Sequence, residues 1–155
     1  MEAKRIKLLL IEDNPGDARL IREALREAGG ESFDLQHADR LATGLARLAE
    51  GDIHLVLLDL SLPDSHGLDT VARTHARAPD VPIVVLTGLD DEALALKALE
   101  IGAQDYLVKG DVDGRVLNRA IRYAIERQRA EQALRQSEAR FRGLLESAPD
   151  AVLIV

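Results

Sequence analysis

Five short apolar runs, separated by longer segments of helical periodicity, constrain the fold of this 155-residue chain more than any other feature. The runs lie at residues 6–12, 33–37, 53–58, 83–86 and 105–108. The amphipathic segments between them lie at about 16–28, 40–50, 67–77 and 90–101. Short runs without polar alternation are typical of buried parallel strands, and strand–helix alternation favours helices on both faces of one sheet. The pattern therefore predicts an α/β doubly wound parallel sheet with right-handed crossovers.

The pattern alone permits either a Rossmann-like or a flavodoxin-like strand order. No glycine-rich phosphate-binding motif follows the first strand, which makes a nucleotide cofactor a poor fit. The carboxyl ends of the strands carry the polar residues instead. Glu12 and Asp13 end the first strand, Asp59 ends the third, and Lys109 ends the fifth. Ligands of open α/β sheets bind at this edge, so we expect three carboxylates and one lysine to converge there.

A C-terminal segment departs from the alternation. Between Asp111 and Pro149 the only helix breakers are Gly114 and Gly143, which predicts one helix over 111–147, about 50 Å long. Apolar residues dense enough to pack on the sheet extend only to about Ala124. A stripe at three- and four-residue spacing continues beyond, but three of its nine positions are charged: Leu117, Ala120, Ala124, Arg127, Glu131, Leu134, Glu138, Phe141 and Leu145. The coiled-coil pattern is therefore moderate, and a parallel homodimer through this helix and its extension is the interpretation it favours over a frayed tail.

Composition excludes several classes of function. The net charge is −7, and it divides into −8 for residues 1–110 and +1 for residues 111–155. An acidic main domain is a poor general partner for nucleic acid. No cysteine is present, which excludes disulfides, thiol catalysis and cysteine–zinc sites. No apolar stretch approaches the roughly 20 residues of a membrane span, and no signal peptide precedes the first strand. We expect a cytoplasmic protein without nucleic-acid or membrane partners.

Four motifs, each at a strand end, together resemble the receiver domain of a bacterial two-component response regulator over roughly residues 6–125. They are Leu10–Asp17, Leu57–Leu68, Val85–Gly88 and Gly102–Lys109. The resemblance implies a flavodoxin-like (βα)5 sheet of strand order 2-1-3-4-5. It also implies a signalling domain that accepts a phosphoryl group from a sensor histidine kinase or a phosphotransfer protein, rather than a classical enzyme.

The resemblance assigns roles to the residues at the strand ends. Asp59 resembles the phosphoacceptor. Glu12 and Asp13 resemble the acidic pair that holds Mg²⁺ together with Asp59 and the backbone carbonyl of Ser61. Lys109 resembles the lysine that pairs with the acceptor carboxylate and then with the phosphoryl group. Capping of a helix is the alternative role for Glu12–Asp13 and for Asp59.

Two further residues resemble the switch of the family. Thr87 resembles the hydroxyl that moves to the phosphoryl group, and Tyr106 resembles the aromatic side chain that reports its position. One departure is Gly110, which stands where the family often has a proline after the lysine. The sequence Lys109-Gly110-Asp111 resembles receivers fused to sensor modules rather than to DNA-binding domains.

Two alternative functions fit the residues less well. An aspartyl-phosphate phosphatase would carry a second aspartate two residues after the nucleophile, where this chain has Ser61. A pseudo-receiver that binds partners without phosphate would lack one of the acids or Lys109, and all are present.

Residues 134–155 resemble the entry to a PAS sensor domain. The expected organisation is a receiver at 1–125, a signalling helix at 126–148 and a truncated PAS start at 149–155.

Overall fold

The computed structural model describes residues 5–147. Its strands are β1 Ile6–Ile11, β2 Phe33–Ala38, β3 Leu55–Asp59, β4 Ser61–Leu62, β5 Ser65–His66, β6 Ile83–Thr87 and β7 Asp105–Val108. Its α-helices are α1 Pro15–Glu27, α2 Leu41–Ala49, α3 Leu68–Arg77, α4 Glu92–Glu100 and α5 Gly114–Ser147. The PAS start expected at 149–155 lies outside the described residues.

A five-stranded parallel sheet in the order β2-β1-β3-β6-β7 forms the centre of the domain. Counting only these five strands along the chain, the order is 2-1-3-4-5, so the predicted flavodoxin-like topology is confirmed. Register follows directly: Leu10 lies opposite Leu57, and Leu58 lies opposite Val85. The carboxyl ends of β1, β3, β6 and β7 therefore meet at one edge.

Alternate residues of each strand pack on opposite faces of the sheet, which explains why the runs are apolar throughout. Leu8 and Leu10 contribute to a core with α1 and α5, whereas Leu9 and Ile11 contribute to a core with α2, α3 and α4. Complete burial of such a side chain contributes about 1.5–3 kcal/mol relative to exposure. Two separate cores of this kind fix the three layers of the domain.

Some boundaries differ from the sequence-based prediction. Residues 60–66, between the third predicted strand and the third predicted helix, contain a small antiparallel hairpin in which Ser61 pairs with His66. β3 begins at Leu55 rather than at residue 53, because Gly51 and Asp52 both adopt positive φ values and turn the chain first. α4 begins at Glu92 rather than at residue 90. α5 begins at Gly114 rather than at Asp111, after a short 3₁₀ turn at Lys109–Asp111.

α5 runs from the carboxyl edge of the sheet back across α1 and beyond the opposite edge. Its first residue, Gly114, lies so close to α1 that a Cβ there would approach the carbonyl oxygen of Ala24 to 2.8 Å. Leu117 and Ile121 are completely buried. No helix in the described part of the chain is both long and apolar enough to cross a membrane.

Docking of α5 continues past Ala124 through polar contacts that the apolar pattern does not predict. Gln128 is only 6% exposed. Its Oε1 accepts a 2.9 Å hydrogen bond from Gln104 Nε2, and its Nε2 donates to the carbonyl oxygen of Pro79 at 3.4 Å. Gln132 Nε2 donates to the carbonyl oxygen of Asp80 at 3.3 Å. Beyond Gln132 the large apolar side chains of the helix are exposed: Leu134, Phe141, Leu144 and Leu145.

Candidate functional site

Helix α1 is capped by Asn14, which leaves the acidic pair before it available for other contacts. Asn14 Oδ1 accepts from the backbone N–H groups of Gly16 at 2.8 Å and Asp17 at 3.1 Å, and Pro15 occupies the first helical position. Asparagine at this position and proline after it are standard features of a helix start. Glu12 and Asp13 are therefore not the residues that cap the helix.

The three acids predicted at the strand ends come together. Glu12, Asp13 and Asp59 each place one carboxylate oxygen within 4.8 Å of the others. Glu12 and Asp59 are buried, whereas Asp13 is exposed. Glu12 Oε2 is buried without a hydrogen-bond partner among the described residues. Carboxylate oxygens are the donors that Mg²⁺ prefers, so the donor set and the unpartnered buried oxygen both fit this ion.

Lys109 joins the acids at the same edge. Its Nζ lies 2.6 Å from Glu12 Oε1, 2.9 Å from Asp17 Oδ2 and 3.2 Å from Asp59 Oδ1. The predicted pairing of Lys109 with Asp59 is present, but the lysine lies closer to the other two carboxylates. Asp17 was not predicted as a site residue. Its only sequence signal is its position in the first turn of α1, one turn after Asn14.

The close approach of these charged groups shifts the pKa values of Glu12, Lys109 and Asp17. Burial, together with contact with Asp59, raises the pKa of Glu12 to about 9, although the hydrogen bond from Lys109 opposes the shift. Burial acts to lower the pKa of Lys109, but hydrogen bonds to Glu12 and Asp17 outweigh it and hold that pKa above its ordinary value. The hydrogen bond from Lys109 lowers the pKa of Asp17. Without a cation, Glu12 therefore holds its proton at neutral pH.

A cleft of about 250 Å³ opens beside Asp59 and is lined in part by Ser61, Thr87 and Gly88. Thr87 ends β6 next to Val108 of β7, so it stands one residue from the level of Lys109. Its hydroxyl is buried and donates a long hydrogen bond, 3.5 Å, to the carbonyl oxygen of Leu107. The cleft is large enough for a small tetrahedral group beside the Asp59 carboxylate.

Tyr106 lies further from the acids. Its side chain is half-buried in β7, and its hydroxyl donates to Glu92 Oε1 at 3.5 Å. The ring therefore connects the strand that carries Lys109 to the start of α4. No cis peptide bond occurs between residues 5 and 147, so the Lys109–Gly110 peptide is trans.

Asp64 has a structural role that the sequence analysis did not assign. Its carboxylate accepts from the backbone N–H groups of Leu41 at 2.8 Å and Ala42 at 2.9 Å. These hydrogen bonds, first of all that from Ala42, lower the pKa of Asp64. Arg40, at the cap position of α2, supplies no side-chain hydrogen bond, so Asp64 caps that helix from the β4–β5 turn. The turn after Asp59 is thereby tied to α2.

Fold and site together define a class: a flavodoxin-like domain with an acidic pocket and a lysine at the carboxyl edge of its sheet. Comparison with protein families makes the class specific. Residues 8–122 match the response regulator receiver domain, and the chain belongs to that family. Receiver domains are signalling domains of two-component systems rather than classical enzymes.

Curated relatives carry the same domain. The chain is 40% identical over 106 residues to the probable transcriptional regulatory protein SilR of Salmonella typhimurium, covering 67% of this chain and 44% of SilR. It is 38% identical over 104 residues to the transcriptional regulatory protein CusR of Escherichia coli K12, covering 67% of this chain and 44% of CusR. The chain thus spans less than half the length of these relatives.

Solved structures share the fold. The signal receiver domain of an HD domain-containing protein from Pseudomonas fluorescens Pf-5 superposes with a TM-score of 0.73 at 28% identity, covering 86% of this chain and 96% of that one. A sensor protein from Polaromonas sp. JS666 superposes with a TM-score of 0.69 at 27% identity, covering 80% and 98%. The receiver unit accounts for nearly the whole of both structures.

Proposed function

We propose that Asp59 is the phosphoacceptor of this receiver domain. The observation that carries the proposal is the position of its carboxylate, which is buried at the end of β3 and lies close to the acidic pair and to Lys109 Nζ. In the reaction, an Asp59 oxygen forms a bond to phosphorus while the bond from phosphorus to the donor, a histidine nitrogen of a partner kinase or phosphotransfer protein, breaks. The product is an acyl phosphate.

Glu12, Asp13, Asp59 and the backbone carbonyl of Ser61 would hold Mg²⁺, which supplies positive charge against the oxygens of the transferred group. Lys109 would supply a second positive charge as a mobile ammonium. Thr87 would release the carbonyl oxygen of Leu107, to which its hydrogen bond is long, and donate to the phosphoryl group. Tyr106 would follow that movement because it lies in the neighbouring strand.

The output would pass through the surface of α4, β7 and α5. We propose a receiver at 1–125, a signalling helix at 126–148 and a PAS entry at 149–155, with a homodimer formed through α5 and its extension. The exposed apolar side chains Leu134, Phe141 and Leu144 support a partner for the extension. The names of SilR and CusR describe transcriptional regulation by those proteins. For this chain, Lys109-Gly110-Asp111 favours a sensor-type output. We propose that the protein acts in the cytoplasm without nucleic-acid or membrane contacts.

Neither alternative function is favoured. Ser61 occupies the position where a phosphatase would need its second aspartate. A pseudo-receiver would not need a buried Glu12 whose Oε2 has no partner within residues 5–147.

Intact mass spectrometry tests the phosphoacceptor directly. Incubation of the 155-residue chain with a small-molecule phosphodonor and Mg²⁺ should add one phosphoryl group, and Asp59→Asn should abolish the addition. Asp91→Asn is the matched control, because Asp91 lines the same cleft but lies outside the acid cluster. Equal labelling of Asp59→Asn and wild type would refute the assignment.

Sedimentation tests the dimer. The 155-residue chain should associate, whereas a version ending at Gln132 should remain monomeric because it keeps every docking contact of α5 but loses the exposed apolar side chains. A monomeric long form, with and without a phosphoryl mimic, would contradict the proposal.

A further inference from the structure

Lys109 is shared among three carboxylates, and one of them belongs to a helix rather than to a strand end. Asp17, in the first turn of α1, approaches the lysine Nζ to 2.9 Å, whereas Asp59 lies at 3.2 Å. The Asp17 side chain is 31% exposed and that of Asp59 only 8%. The lysine therefore lies closer to the partly exposed Asp17 than to the buried phosphoacceptor.

We propose that Asp17 is a positioning residue that holds Lys109 back from Asp59 and competes with the phosphoryl group for the lysine. The inference rests on the proposed function of Asp59 as phosphoacceptor. It assigns to this chain a determinant of phosphoryl binding on α1.

The hydrogen-bond capacity of the lysine supports the competition. An ammonium group has three N–H donors, and in this site three carboxylates already accept from it or pair with it. A phosphoryl group on Asp59 adds strong acceptor oxygens beside the same ammonium. The phosphoryl group forms on Asp59 itself and takes over the donor that pairs with Asp59. A second hydrogen bond from the lysine to the phosphoryl oxygens requires the release of Glu12 or Asp17. Asp17 is the partner that costs least to release, because it is the most exposed of the three and water can replace the lysine around its carboxylate.

Asp17 also lies at the positive end of the α1 dipole, which would make it favourable there even without the lysine. That role does not involve Lys109. An experiment that compares Asp17 variants in the presence and absence of the Lys109 ammonium therefore separates the two roles.

The first test measures the affinity of the full 155-residue chain for beryllium trifluoride, a mimic of the phosphoryl group, in the presence of Mg²⁺. Asp17→Asn should tighten binding about threefold, the size expected for one partly exposed ion pair. Asp17→Glu, which keeps the charge, should restore the wild-type affinity. Asp91→Asn gives the effect of removing a negative charge from the cleft beside Asp59, at a residue without a lysine contact. Tightening by Asp17→Asn no greater than by Asp91→Asn overturns the inference.

The second test is a double-mutant cycle of Asp17→Asn and Lys109→Gln on the unfolding of the metal-free protein, which needs no phosphoryl mimic. A favourable coupling between the two side chains is expected. Additive effects of the two substitutions overturn the inference, because they show that Asp17 does not act through Lys109.

These results are distinguishable from failure of the proposed function. If wild type does not bind beryllium trifluoride, or if Asp59→Asn binds it equally well, the phosphoacceptor assignment fails and the inference fails with it. If wild type binds, Asp59→Asn does not, and Asp17→Asn gives no tightening, then the inference alone fails.

Discussion

Two buried polar side chains, at opposite ends of the sheet, differ in how many of their polar atoms have hydrogen-bond partners. Gln128, at the amino end, has both of its polar atoms partnered, by Gln104 and by the Pro79 carbonyl oxygen. Glu12, at the carboxyl end, is completely buried, and its Oε2 has no partner in residues 5–147. Buried polar groups are normally satisfied, and exceptions concentrate where function requires them. At the amino end the buried amide is fully paired, whereas at the carboxyl end the unpaired carboxylate oxygen fits the proposed cation site beside Asp59.

The largest loss of stability is expected when Gln128, at the amino end of the sheet, is replaced by a carboxylate like that of Glu12. Gln128→Glu places a buried carboxylate beside the Pro79 carbonyl oxygen and near Glu131, which already pairs with Arg135 at 3.8 Å. The free energy of unfolding should fall by about 3 kcal/mol at neutral pH, because an uncompensated buried charge is costly. Denaturant titration measures the change. Gln132→Glu, in a half-buried position, should cost less than about 1 kcal/mol. Equal losses would show that the amide contacts of Gln128 do not matter.

Mg²⁺ should stabilise the folded protein by binding to the acids at the carboxyl end of the sheet. At a hundred times its dissociation constant, a ligand that binds only the folded state adds about 2.7 kcal/mol to the free energy of unfolding. We expect a rise in melting temperature with Mg²⁺ in wild type and in Gln128→Ala, and little response in Asp13→Ala. An identical Mg²⁺ response in wild type and Asp13→Ala would place the ion elsewhere.

The buried Glu12 carboxyl group should also make the stability of the metal-free protein depend on pH. Because the pKa of Glu12 is raised in the folded state to about 9, the folded chain keeps a proton that the unfolded chain releases above its ordinary pKa of 4.5. Stability must then decrease as pH rises between these values. We expect a loss of at least about 1.4 kcal/mol, equivalent to one pKa unit, between pH 5 and pH 8.

Glu12→Gln is the control for this pH dependence, because glutamine resembles the protonated acid and cannot ionise. Its stability should remain flat over the same range, whereas the buried amide at Gln128 contributes no slope in either protein. A wild-type stability that rises with pH would contradict the assignment of the proton to Glu12.

The smallest effect concerns a carboxylate that lies near the site but is satisfied. Both oxygens of Asp64 accept backbone N–H groups of α2, so Asp64→Ala should cost about 1 kcal/mol, as for loss of a helix cap. Since the pKa of Asp64 is lowered, this contribution is present above its ordinary pKa and is lost as pH falls through the lowered value. Asp64→Asn should retain part of it. Phosphorylation of Asp59 should persist in both variants.

Sequence reasoning succeeded where strand order alone decides position. Glu12, Asp13, Asp59 and Lys109 each follow a strand, and parallel strands bring their carboxyl ends together whatever the side-chain conformations are. Asp17 was not predicted as a site residue because it lies on a helix. Its contact depends on how far the Lys109 side chain reaches from the end of β7. The Gln104–Gln128 contact was not predicted for a different reason. Polar residues on a helix after its apolar stripe are typical of a solvated face.

Fifteen residues of α5, 133–147, project past the last docking contact at Gln132. At 1.5 Å per residue they form an arm about 22 Å long. A tilt of about 5° at the docked base displaces the tip of an arm of that length by about 2 Å, which is larger than most side-chain adjustments inside a packed core. If the proposed signalling role of the extension is correct, a small repacking of the receiver against α5 would become a displacement of this size at Ser147.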